Sequence, residues 1–163
     1  MRVLFTLALV FGLLSGAPAA LASGGNYTAH LSGAQEVPPR ETRATGQIVV
    51  RTSDAGLQFR LTVANIENVR AAHIHCGAVG VNGPVGVTLF TGGGPGRSDG
   101  VLAQGAIAEP DAGNGCGWAT IGDVEEAILN GGAYVNVHTN DGVDPPNTGA
   151  GDFPGGEIRG QLR

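Results

Sequence analysis

The chain has no lysine. Its nine basic residues are all arginine, set against 14 acids, for a net charge of −5 over 163 residues. Scattered arginines in an acidic chain exclude the dense basic surface that neutralises phosphates, so nucleic acid and anionic membranes drop out as partners. No run after residue 22 is long and apolar enough to predict a membrane span. There is no G-x-S-x-G, no P-loop and no dinucleotide fingerprint, which leaves hydrolase and transferase chemistry without support.

The first 22 residues have a composition of their own. One Arg precedes an apolar run from Val3 to Leu14, then small residues ending in Ala20-Leu21-Ala22. That pattern predicts a secretory signal peptide over residues 1–22 and a soluble, exported domain over 23–163. Without Arg2 the remaining chain has eight arginines, 14 acids and a net charge of −6. Its length suits one domain.

Glycine is abundant, 29 residues, but is spread between short apolar stretches rather than massed in a repeat. This spacing reads as turns between strands. About eight strands are expected: 26–32, 46–53, 56–66, 69–76, 85–90, 101–108, 133–139 and 157–163. The clearest is 56–66, where Leu57, Phe59, Leu61 and Val63 alternate with Gln58, Arg60 and Thr62. The "SDAG" at 53–56 signals a hairpin. One short crossover helix is expected over 122–132, with Asp123 as N-cap, Glu126 completing a capping box and Gly131 as the stop. The sum is an all-β fold, an immunoglobulin-like sandwich or flattened barrel.

The two cysteines, Cys76 and Cys116, read first as a disulfide in an exported chain. The rival is a Cys76 thiolate ligand beside His73 and His75, but strand alternation turns Cys76 away from both.

Those two histidines form H-x-H in "AAHIHCGAVG" (71–80). Residues i and i+2 of a strand share a face, with Cα atoms roughly 6.5–7 Å apart, close enough for two imidazoles to hold one ion. In 133–139, Tyr134, Asn136 and His138 oppose Ala133, Val135 and Val137. In 157–163, Glu157, Arg159 and Gln161 oppose Ile158 and Leu162. If these strands are neighbours, His73, His75, His138, Asn136, Glu157 and Arg159 share one polar face on the outside of the fold. Three histidines suit copper or zinc. His30 belongs to another strand. Glu36 in "AQEVPP" is placed to pair with Arg40 or Arg159, and Glu157 and Arg159 also fit ordinary cross-strand charge pairing. The loop 140–156 holds Asp141, Asp144 and Asp152. Their oxygens suit calcium, but their spacing matches no EF-hand. A flap over the histidines or a plain surface insertion fits the loop better.

"LSGAQEVPP", "AAHIHCGAVGVNGPVGVTLF", "GGAYVNVHT" and "GGEIRGQL" occur in this order from about Tyr27 to Leu162. Together they resemble the CHRD domain, named after chordin and found alone in exported bacterial proteins. The resemblance implies an immunoglobulin-like β-barrel, with likeness to copper–zinc superoxide dismutases and no established activity. It maps A-H-I-H onto Ala72–His75, V-N-V-H-T onto Val135–Thr139 and G-G-E-I-R-G onto Gly155–Gly160. The stretch between His138 and Gly155 is longer than the family's usual connection. The later dismutase ligands and the zinc-site aspartate have no counterparts.

Three functions compete. A periplasmic or cell-surface interaction module, docking an envelope or extracellular protein, is favoured by the missing catalytic signatures. A copper- or zinc-binding domain would use His73, His75 and His138. A copper redox enzyme on the same residues would also need an open coordination position.

Overall fold

The computed structural model describes residues 24–163, so the signal peptide expected over 1–22 lies outside the described residues. The described chain forms β1 (Asn26–Ser32), a single 3₁₀ turn (Gly33–Gln35), β2 (Thr45–Ser53), β3 (Gly56–Glu67), β4 (Val69–Cys76), β5 (Val85–Thr91), β6 (Arg97–Ile107), helix α1 (Ile121–Leu129), β7 (Ala133–Thr139) and β8 (Ile158–Gln161). All eight strands pair antiparallel in one sheet, in the order β5-β4-β7-β8-β1-β2-β3-β6. The sheet curls until its edges, β5 and β6, approach each other in a nearly closed barrel. This is the all-β, eight-strand, one-helix architecture that the alternation predicts.

Period two fixes the inside. Leu31, Ile48, Leu57, Leu61, Ile74, Val135, Val137 and Ile158 are all fully buried in a single core. Between β3 and β4 only Asn68 intervenes, in the left-handed region at φ 54°. Its backbone turns the chain from one half of the sheet to the other. Its side chain donates to the Gly151 carbonyl and accepts from Gly96 N–H. Asn is among the few residues with a side chain that tolerate this conformation.

Helix α1 corrects the expected cap. The N-cap is Thr120, whose hydroxyl accepts from Asp123 N–H, while the Asp123 carboxylate accepts from Thr120 N–H. Asp123 is thus the acidic member of the box, not its cap. The helix closes at Leu129, and Gly131 follows at φ 66°. Val124 and Ile128 are the buried pair that docks it.

Cys76 and Cys116 form a disulfide, as expected, across a sequence separation of 40. It ties the end of β4 to the segment before α1.

Candidate metal centre

β4 and β7 are direct neighbours. Ala71 lies opposite His138, His73 opposite Asn136 and His75 opposite Tyr134. His73 and His75 share a face by alternation. His138 lies diagonally across from His73, within reach of a long side chain. On the other flank β5 has an extra residue opposite each histidine, with register shifts at Ala72/His73 and Ile74/His75. Bulges of this kind re-aim side chains and are frequent beside functional sites.

The three rings converge. Centroid separations are 4.9 Å for His73–His138, 5.6 Å for His73–His75 and 5.7 Å for His75–His138. One ring nitrogen from each lies within 4.8 Å of the other two, and among the described residues this is the group of three His, Cys, Asp or Glu side chains with ligand spacing.

Two rings are fixed from behind. His75 Nδ1 is 3.0 Å from the Gly83 carbonyl and His138 Nδ1 is 2.9 Å from the Pro154 carbonyl. Both acceptors are carbonyls, so each Nδ1 carries the proton and each Nε2 is left as a lone pair. Ligating imidazoles are usually oriented in this way. Both Nε2 atoms, and Nδ1 of His73, are buried without a hydrogen-bond partner. Gly83 permits its own contact: a Cβ there would collide with the Cys76 carbonyl.

Electrostatics agree with the geometry. Burial pushes the His75 imidazole down to about 4 and outweighs the Gly83 hydrogen bond. Burial, then the neighbouring His138, lowers His73 against the pull of Asp111. Burial also lowers His138. All three are therefore neutral near pH 7, the form that binds a metal.

The face itself differs from the outward, solvated one expected. Tyr134, Asn136 and Arg159 are 2, 3 and 2 % exposed, and His75 is 7 % exposed. The loops at 77–84 and 149–157 and the 33–40 segment cover most of this side of β4, β7 and β8, leaving His73 and His138 half-buried. Arg159 lies 3.5 Å from the Tyr134 ring centroid, while Tyr134 stacks on His75 at 4.9 Å and 8°. The guanidinium donates to Asn82 Oδ1 and to the carbonyls of Ala78 and Val81. Arg159 thereby holds the loop that positions Gly83. The alternation pattern placed these residues on one face, but it carries no signal for backbone carbonyls that fold over that face.

The other residues are distributed as follows. Glu157 lies just before β8 and is fully buried, but it turns from the histidines. Its carboxylate accepts from Thr42 and Thr139 hydroxyls and Gly151 N–H. Glu36 pairs with neither arginine directly. Its Oε2 accepts from Asn136 Nδ2 at 3.3 Å. Burial raises the Glu36 carboxyl to about 7, against the fields of Arg159 and Arg40, and Arg40 itself sits over the Phe153 ring. His30 is exposed on β1, apart from the trio. Asp141, Asp144 and Asp152 do not gather. Asp141 caps a local turn at Val143 N–H, and Asp152 accepts from the backbone and hydroxyl of Thr148. Cys76 is in the disulfide and is not a ligand.

The CHRD domain model matches residues 27–162, nearly the whole described chain. The protein belongs to the CHRD domain family. No curated protein and no solved structure matches the chain significantly. Within this CHRD domain the matched segments that carry A-H-I-H and V-N-V-H-T are the ones that form the paired strands of the trio. CHRD domains are typically extracellular, and the disulfide suits an oxidising compartment. No described helix is long and apolar enough to cross a membrane.

Proposed function

We propose that this CHRD domain is an exported module that binds one copper or zinc ion through His73, His75 and His138. The observation that carries the reading is the trio of buried ring nitrogens without partners, two of them on rings locked by Nδ1–H to a carbonyl. Buried polar atoms are ordinarily satisfied, and three unsatisfied neighbours converging on one point ask for a shared partner. Neutral imidazole suits copper and zinc, whereas calcium and magnesium prefer oxygen.

The test is metal content. The mature domain, exported and purified without chelator, is expected to contain or take up about one Cu(II) or Zn(II) per chain. His73→Ala/His75→Ala is expected to fold and bind none. Equal metal in both proteins would end the proposal.

A docking role is the second reading, favoured by Val79, Val81 and Val143 at 77, 54 and 65 % exposed. They lie on the two loops that hold His75 and His138. An envelope or extracellular protein whose capture survives Val79→Ser/Val81→Ser/Val143→Ser would argue against it. A redox enzyme would draw on the same trio and needs an exchangeable ligand at the ion.

A further inference from the structure

The trio supplies three nitrogens, and Cu(II) and Zn(II) ordinarily take four ligands or more. Asn136 indicates what completes the set. It lies two residues before His138, opposite His73 on β4 and opposite Arg159 on β8. It is 3 % exposed. Its Nδ2 donates to Glu36 Oε2, which leaves Oδ1 buried without a donor. Gly156 closes over the amide, and a Cβ there would overlap it. With Glu36 ionised, rotating the amide would set Oδ1 against its carboxylate, so the charged Glu36 fixes which end is free. An acceptor without a donor thus lies across the strand pair from His73, whose Nδ1 also has no partner.

A water bound to the ion answers both: its oxygen faces the metal and one of its protons faces Asn136 Oδ1. We infer that Asn136 is the positioning residue for an exchangeable oxygen ligand, water or hydroxide, at the ion's fourth position, with Glu36 setting the amide's orientation. This rests on the metal-binding reading and deepens it. The centre is then of the open kind, able to exchange its ligand for a small anion, and not a closed structural site.

The test uses the Cu(II)-loaded mature chain. Electron–nuclear double resonance is expected to show a strongly coupled proton that vanishes in D₂O, and azide is expected to displace the water. Asn136→Leu, similar in size but without an acceptor, is expected to keep one copper per chain. It should bind azide at a concentration lower by about threefold to tenfold, as loss of one hydrogen bond to the water implies. Glu36→Gln should move azide affinity the same way by a smaller factor. It also serves as the deciding variant if Asn136→Leu does not fold. Copper bound with no exchangeable proton in the wild type overturns this inference and leaves the metal site standing. Unchanged azide affinity in the loaded variants does the same. Failure of the wild type to bind copper or zinc overturns both.

Discussion

His75 and Glu36 lie on the same buried face and titrate in opposite senses. The folded His75 is held at about 4, below its ordinary 6.5. Between those values the unfolded chain binds a proton that the folded chain does not, so His75 stabilises above about pH 6.5 and that stability is lost as pH falls toward 4. His73 and His138, also lowered, add in the same direction. Glu36 is raised from 4.5 to about 7. Between those values the folded chain binds the extra proton, so its contribution is present in acid and lost as pH rises through 7. The displacement of each group, His75 downward and Glu36 upward, is worth about 3 kcal/mol, and the two largely cancel. The wild-type apo-protein should therefore lose stability only gently from pH 7.5 to 5. Glu36→Gln removes the opposing titration. It should be more stable than wild type at pH 7.5 and lose more of its stability on acidification, read as urea midpoints at both pH values. Parallel pH profiles would show that Glu36 is not protonated on folding. The histidines themselves were legible from alternation alone. Glu36 was visible as a charge in need of a partner, but its partner is an amide 100 residues away. Local spacing has no access to that contact.

At the scale of elements, the strands could be read because each has one apolar face of period two, from Leu57, Leu61 and Val63 on β3 to Val135 and Val137 on β7. The burial of the second face could not be read. It depends on loops whose contacts are backbone carbonyls, and carbonyls carry no residue identity. The helix cap lies three residues before the expected Asp123 because both Thr120 and Asp123 are good caps, and only the reciprocal bonds decide between them. The loop 77–84 gives the next prediction. It leaves β4 at Cys76 and returns at Pro84, whose carbonyl accepts from Cys76 N–H. Between them Gly83 holds both His75 and the Tyr134 hydroxyl. The disulfide anchors the same end of β4. Closing a 40-residue loop stabilises by about 4 kcal/mol in the chain-entropy model. Cys76→Ser/Cys116→Ser should lower the denaturation midpoint accordingly. It should also weaken Cu(II) or Zn(II) binding by about tenfold to a hundredfold, the range for losing support behind a ligand. Metal affinity unchanged despite lower stability would mean that the loop holds His75 without help from the disulfide.

Over the whole molecule, the barrel explains why the proposed metal site costs stability in the apo-protein. Eight strands close around one apolar core, so polar groups on the covered face of β4, β7 and β8 cannot reach water without opening loops that the fold has tied down. Three imidazole nitrogens, Asn136 Oδ1 and Glu36 Oε1 remain unsatisfied there, and each such group costs about 1–3 kcal/mol. An ion that binds only the folded chain returns part of that cost. Its effect follows mass action: about 2.7 kcal/mol when free ion exceeds the dissociation constant a hundredfold, rising about 1.4 kcal/mol with each further decade. The unfolded chain keeps only the H-x-H pair close in sequence, with His138 distant, so its competing affinity is weak. The urea midpoint of the wild type should therefore climb steadily with buffered free Zn(II), while that of His73→Ala/His75→Ala stays flat. Unfolding should remain a single transition throughout, because β4 and β7 are interior strands of one continuous sheet. A metal-dependent shift of equal slope in both proteins would place the ion elsewhere on the surface and detach it from the three histidines of β4 and β7.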